Sequence, residues 1–240
     1  MTAGGDCHQD ARSIGRAKKE NLILKLVFLC FILMNPLSAG IGFKAGIGLT
    51  GLHSSTGDFR HVLGYEMNWL TMGNLIGFQA GFFKTFKLTN RFEIQPELFY
   101  TLRGGDASRT FIYDDVVYKI KISYAELPLL LKCRLLTKRA FTPVVFAGPY
   151  AALKLKAKKQ TVIWKTKEET SLDNVTRIDY GFLLGLGGEY DLGSGRVFLE
   201  LRSSLGLKNM MTVPSGTIRL YDEKDSIRNF NFSVLIGYGF

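Results

Sequence analysis

From Gly40 to its end the chain keeps returning to a two-residue alternation of apolar and polar side chains, the pattern of strands with two unlike faces. Ile41, Phe43, Ala45, Ile47 and Leu49 oppose Gly42, Lys44, Gly46 and Gly48. Ile76, Phe78, Ala80, Phe82 and Phe86 oppose Gly77, Gln79, Gly81 and Thr85; Lys84 breaks the apolar set near the strand end, where it can snorkel. The third segment sets Phe92, Ile94, Pro96, Leu98, Tyr100 and Leu102 against Glu93, Gln95, Glu97, Thr101 and Arg103, with Phe99 the exception on the polar face. In the fourth, the apolar set runs on even numbers from Val116 to Tyr124 and on odd numbers from Leu127 to Leu135. That slip of phase predicts a β-bulge near Ala125–Glu126. Four more segments follow: Phe141–Lys156, Arg177–Tyr190, Arg196–Lys208 and Asn229–Phe240.

Eight such segments joined in order predict an all-β fold, an eight-stranded antiparallel up-and-down barrel. The connections alternate in length. Long ones cover 53–74, 104–115, 157–174 and 209–228; tight ones fall at Thr89-Asn90, Thr137–Arg139 and Gly193–Gly195. Short turns at one end and long loops at the other match a transmembrane barrel of the outer membrane, long loops outside the cell. Alternation alone also fits a soluble barrel with the faces exchanged. The polar face decides between them, because it is rich in glycine where a soluble exterior would carry Lys, Glu, Ser and Thr. Facing inward, these glycines leave room for a polar network of both signs: Lys44, Glu93, Glu97, Arg103, Lys119, Lys121, Glu126, Arg177, Asp179, Glu189, Glu200 and Arg202. Facing lipid, each Lys or Arg at the midplane would cost about 2–4 kcal/mol. Aromatics near the strand ends, such as Phe92, Tyr100, Tyr180, Tyr190, Tyr238 and Phe240, suit the girdles of a lipid-facing surface.

The composition agrees. Of 240 residues, 26 are Gly and 18 Phe but only 6 Pro, and the formal charge is +10. One long apolar run exists, at Leu22–Leu37, preceded by Arg12, Arg16, Lys18 and Lys19 and followed by Ser38-Ala39-Gly40. This reads as a signal peptide over residues 1–39, cleaved after Ala39, with a barrel domain over 40–240. Cleavage removes Cys7 and Cys30 and leaves Cys133 alone, so no internal disulfide is expected.

Several stretches, in order, are Gly77–Phe82 (GFQAGF), Ile94–Tyr100 (IQPELFY), Tyr124–Lys132 (YAELPLLLK), Gly148-Pro149-Tyr150 and Gly185–Glu189 (GLGGE). Together they resemble the PorT-like outer-membrane β-barrel family of Gram-negative bacteria, over essentially all of residues 40–240. The resemblance implies an integral protein of the cell outer membrane. The founding member is linked to export of secreted proteases, but the shared motifs are barrel motifs and do not themselves carry that role. The final Tyr238-Gly239-Phe240 is similar to the signal read by barrel-assembly machinery, so Tyr238 and Phe240 are the expected assembly signal. Glu126, beside the donor-less Pro128, is expected to point inward and pair with Arg134 or Arg177.

No catalytic constellation stands out. His53-Ser54-Ser55, with Asp58 and His61 nearby, would suit an alternative, an outer-membrane lipid-modifying enzyme with an active site at its rim, but adjacent serines are first a turn signal. Asp114-Asp115 reads as a solvated loop tip; no metal and no cofactor is expected. The third long loop is basic, with Lys154, Lys156, Lys158, Lys159, Lys165 and Lys167 around Trp164, diluted by Glu168 and Glu169. Such a run is first of all a solvated, hairpin-extended loop; if it meets an acidic partner outside a bacterium, lipopolysaccharide phosphate suits it better than nucleic acid. The expected partners are therefore outer-membrane lipid, lipopolysaccharide and the assembly machinery, and the expected role is non-enzymatic: structural, or interaction through the loops. Deleting Tyr238–Phe240 should block assembly, read as loss of the band that shifts on boiling in detergent gels of outer-membrane fractions.

Overall fold

The computed structural model describes residues 39–54, 71–110, 115–136, 141–163, 166–172, 175–210 and 227–240. The predicted signal segment up to Ser38 lies outside them, as do Asp58, His61, Asp114, Trp164, Lys165 and the side chains of His53 and Asp115. The strands are β1 Ala39–Ser54, β2 Thr71–Lys87, β3 Phe92–Thr110, β4 Asp115–Arg134, β5 Phe141–Ile163, β6 Thr166–Ser171, β7 Ile178–Asp191, β8 Arg196–Gly206 and β9 Ile227–Gly239. Around the barrel the order is β1-β2-β3-β4-β5-β7-β8-β9, and β9 closes on β1 from Gly42↔Gly239 to Ser54↔Ile227. The closed wall is thus eight antiparallel strands, as the alternation predicts. The ninth strand, β6, pairs with β5 alone and sits on an extension of the wall.

Tight turns gather at one end. Thr89 organises the β2–β3 turn, its hydroxyl oxygen accepting from the amides of Arg91 and Phe92. In the β7–β8 turn Asp191 accepts from the Gly193 amide at 2.8 Å, and Gly193 takes a φ of +82°, which suits glycine. Gly40 and Phe240 line a vestibule at this same end with Lys87 and Gly195. This is the periplasmic end, since short turns face the periplasm in outer-membrane barrels.

The facing is inverted relative to a soluble protein. Large apolar side chains such as Ile47, Ile76, Phe82, Leu184, Leu199 and Ile236 are exposed, whereas Lys44, Glu97, Arg103, Glu126, Lys132 and Arg202 are buried. With only hydrocarbon outside, exposed apolar side chains lose nothing, and charges gain by facing the bore. Lys84, on the outward series, lies buried with its ammonium 5.2 Å from the Phe86 ring, near the end of β2.

In β4 the predicted phase slip is absent. Ile120, Ile122, Tyr124, Glu126, Leu130 and Lys132 all face inward on one continuous even series. The β3–β4 register holds from Phe92↔Cys133 to Thr110↔Asp115 without a shift. Pro128 leaves a gap in this ladder beside Glu126 but no extra residue. The bulge instead lies on β5 at Leu155, where Ser123↔Lys156 is followed by Tyr124↔Lys154. The apolar residues at the top of β4 deceived the pattern because they fill the bore: Ile120, Ile122 and Tyr124 pack with Leu52, Tyr150, Val175 and Met210.

The wall is also taller on one side. β3 and β4 stay paired to Thr110↔Asp115, and β5 runs on from Leu153, opposite the first residue of β7, to Ile163. The second predicted long loop is therefore mostly hairpin. A spanning strand needs about 9–11 residues, so the tops of β4 and β5, with β6, rise beyond the bilayer.

Leu184, mid-way along β7, and Leu192, in the turn, are 58% and 54% exposed. Leu184→Arg should lower the folding free energy in lipid vesicles by about 2–4 kcal/mol, and Leu192→Arg by about 0–1 kcal/mol. Denaturant titration of both variants checks this; equal costs would overturn the facing.

Candidate functional site

The bore is crossed by ion pairs at two levels. Nearer the periplasm, Glu97 on β3 reaches Arg202 on β8, two strands on opposite sides of the barrel. Arg202 donates Nη1 to Glu97 Oε2 at 2.6 Å and Nη2 to Oε1 at 2.8 Å, a bidentate pair. Arg202 also donates to Glu200 through Nε at 3.0 Å and Nη2 at 2.5 Å. Lys44 from β1 bridges the same two carboxylates, 3.1 Å from Glu97 and 2.7 Å from Glu200. Lys132 from β4 donates to Glu189 at 2.8 Å and lies 3.5 Å from Glu200. Gln95 and Thr85 extend the chain of donors behind Glu97. Toward the turns, Arg134 lies 3.6 Å from Glu93 and 3.7 Å from Glu189, and Arg196 3.5 Å from Glu189.

The second level centres on Arg103. It donates to Glu126 at 2.5 Å, to the Tyr150 hydroxyl at 3.2 Å and to Ser204 at 3.4 Å, with Asp179 4.0 Å away. Asn229 on β9 donates to Asp179 at 2.8 Å and to the Tyr124 hydroxyl at 3.4 Å, again joining opposite walls.

Four of these cations, Lys44, Lys132, Arg202 and Arg103, also rest on aromatic rings. Lys44 lies 4.5 Å from the Phe83 centroid, Lys132 5.0 Å from Phe198, Arg202 5.3 and 5.4 Å from Phe99 and Phe146, and Arg103 4.9 Å from Tyr150. The rings in turn lie over inward glycines. A Cβ on Gly185 would sit 2.5 Å from the Phe146 ring, on Gly181 2.8 Å from Tyr150, on Gly42 2.4 Å from Phe83 and on Gly81 2.8 Å from Phe99. The lumen is thus layered as glycine, ring, cation and carboxylate. The sequence pattern assigned the glycines to making room for charges; their first occupants are the rings.

The structure brings Lys44, Glu93, Glu97, Arg103, Glu126, Asp179, Glu189, Glu200 and Arg202 into the lumen. Three predicted members are not there. Lys119 and Lys121 follow the odd, outward series of β4 because that strand has no bulge, and Arg177 is exposed beyond the first residue of β7. Glu126 pairs with Arg103, not with Arg134 or Arg177; Arg134 sits at the periplasmic end of β4, far along the strand. The sequence reading missed Lys132, Tyr124, Tyr150 and Asn229. Lys132 was within reach, since it shares the even parity of Glu126. Among the described residues no group of three or more His, Cys, Asp or Glu is placed to hold a metal ion.

A closed eight-stranded wall, apolar outside and ion-paired within, defines an integral β-barrel protein of the outer membrane. The chain belongs to the family of the outer membrane protein β-barrel domain, whose model matches residues 33–212. Solved structures similar to it include OprG of Pseudomonas aeruginosa, at 14% identity over 84% of this chain and 96% of that one, TM-score 0.46. Neisserial surface protein A is similar at 12% identity over 83% and 97%, TM-score 0.42. Ail of Yersinia pestis, solved in complex with the heparin analogue sucrose octasulfate, is similar at 11% identity over 85% and 100%, TM-score 0.38. Among curated proteins none matches the chain.

Removing one partner of a buried pair leaves the other charge uncompensated. Glu97→Ala should therefore cost about 3–5 kcal/mol of folding free energy. The double variant with Arg202→Ala should cost less than the sum of the single changes, as measured by denaturant unfolding in a double-mutant cycle.

Proposed function

We propose that this protein is a closed, non-conducting and non-enzymatic barrel that acts through the part of its wall standing outside the membrane, as a structural or interaction protein. The observation that carries this reading is the Glu97–Arg202 pair, which spans the bore between opposite strands and is buttressed by Lys44, Glu200 and Lys132. Conduction needs a water-filled path, and barrels of about 16–18 strands provide it where eight leave only room for side chains. The surface that remains for work is the raised β3–β4–β5–β6 side with the loops beside it. Within the family we read the chain as PorT-like. What supports this is the order of Tyr124-Ala125-Glu126-Leu127-Pro128 and Lys132 on one strand, with Gly77–Phe82 and Ile94–Tyr100 before it. A link to protein export would follow from that likeness alone.

Folded protein in planar bilayers should leave the conductance at background, and purified protein should turn over neither phospholipid nor lipid A. Porin-like conductance steps would overturn the closed-bore reading. Lipid turnover that disappears in His53→Ala would favour the rim enzyme.

A further inference from the structure

The basic residues of the third loop form a single run in the sequence, but the bulge at Leu155 divides them between two faces. Lys154 turns inward, donating to the Val175 carbonyl at 2.6 Å, and Lys159 stands opposite the buried Ile120. Lys156 and Lys158 turn outward, onto the same face as Lys119 and Lys121 of β4. Lys121 is directly opposite Lys158, and Lys156 is opposite Ser123, one outward position below Lys121. Side chains directly opposite on an antiparallel pair have Cβ atoms about 4.5–5.5 Å apart, and like charges there repel. Glu169 of β6 answers part of this charge, accepting from Lys158. That hydrogen bond, with Lys121 and Lys156 nearby, holds the Glu169 carboxyl below the ordinary carboxylate range. Asp106 is opposite Lys119 in register. Lys121 and Lys156 both remain exposed.

The depth of this cluster identifies the anion it faces. Climbing the outward face of β4, the residues are Leu131, Leu129, Leu127, Ala125, Ser123, Lys121 and Lys119. On β5 the last outward apolar residue is Leu155, 55% exposed, directly below Lys156. Between the two regimes, the exposed Tyr100 donates its hydroxyl to Ser123 at 2.8 Å, as expected of an aromatic at the membrane–water boundary. The lysines therefore begin where hydrocarbon ends, and they point sideways into the headgroup layer, not up into solvent. On the outer leaflet of a Gram-negative outer membrane that layer is phosphorylated glycolipid.

We propose that the outward face of the β4–β5–β6 extension, with Lys121, Lys156 and Lys158 as its phosphate ligands and Lys119 at its edge, binds the phosphates of a lipopolysaccharide molecule packed against the barrel. The outward Leu155 on β5 and, further down β4, Ala125 and Leu127 lie below to receive the acyl chains. The positive charge that Glu169 leaves over is then balanced by the lipid.

The test uses the full folded chain in detergent micelles, titrated with rough lipopolysaccharide and followed by native mass spectrometry. An exposed lysine at a membrane surface contributes roughly a factor of five in affinity. Lys121→Gln/Lys156→Gln should thus weaken binding roughly 25-fold. Lys87→Gln/Arg91→Gln, which removes two exposed charges at the periplasmic turn, should leave it within about twofold. Lipopolysaccharide stripped of its phosphates should bind as weakly to the native protein as the intact lipid binds to the first variant. Equal affinity of the two double variants would overturn the proposal. So would retention of the dephosphorylated lipid, or equally tight binding of phosphatidylglycerol, which would make the patch a general anion surface. Heat-modified mobility of both variants confirms that each is folded.

Discussion

The pairing of charge across the bore is the interaction on which the rest depends. A strand that crosses a bilayer has one face in hydrocarbon, so its charged residues have only the lumen to occupy. There they are cut off from water, and each must find an opposite charge or a ring. Glu97 on β3 meets Arg202 on β8 and Lys44 on β1, and Glu200 on β8 meets Lys44, all between strands that are not neighbours. Such pairs hold opposite walls together in a way that backbone ladders, which join adjacent strands only, cannot. Replacing both members of a pair by apolar groups is often neutral in a soluble core, but here a single broken link strands a charge in the middle of the membrane.

Glycine and aromatic residues are the other half of the same arrangement. An eight-stranded bore is too narrow for a large side chain from every inward position. Gly185 beneath Phe146, Gly181 beneath Tyr150 and Gly42 beneath Phe83 let each ring lie flat along the wall. The ring then offers its face to a cation further in, as Phe146 does to Arg202 and Tyr150 does to Arg103. Ring faces are electron-rich and cost little to desolvate, so they suit a lumen that holds cations away from water.

The bilayer also imposes an order along each strand that period-two alternation does not contain. β4 shows it best. Its outward side passes from leucine through alanine and serine to lysine, while its inward side passes from Lys132 and Glu126 to Tyr124, Ile122 and Ile120. Apolar and charged residues exchange faces near the upper membrane boundary, because above it the outside is polar and the inside is capped by an apolar cluster with Leu52, Val175 and Met210. An exchange of faces at constant register looks the same in sequence as a one-residue bulge. The bulge in the β4–β5 ladder, at Leu155 on β5, falls at that same level and separates lysines facing the lumen from lysines facing outward.

Strand number, antiparallel order and the inverted facing were all legible in the residues, since each follows from local alternation and from glycine-rich polar faces that no soluble exterior would tolerate. Most of the lumen charges were legible for the same reason: Glu93, Glu97, Glu189, Glu200 and Arg202 lie in segments whose apolar face is unambiguous. What no stretch of sequence contains is which charge meets which. Glu97 and Arg202, like Lys44 and Glu200, come from strands far apart in the chain, and strand tilt and closure alone set them at one height. Register likewise was decided only in the folded wall: the unbroken β3–β4 ladder placed Lys119 and Lys121 outside and Glu126 on the inward face with Arg103, and the bulge in β5 brought Lys156 and Lys158 onto the face of Lys121.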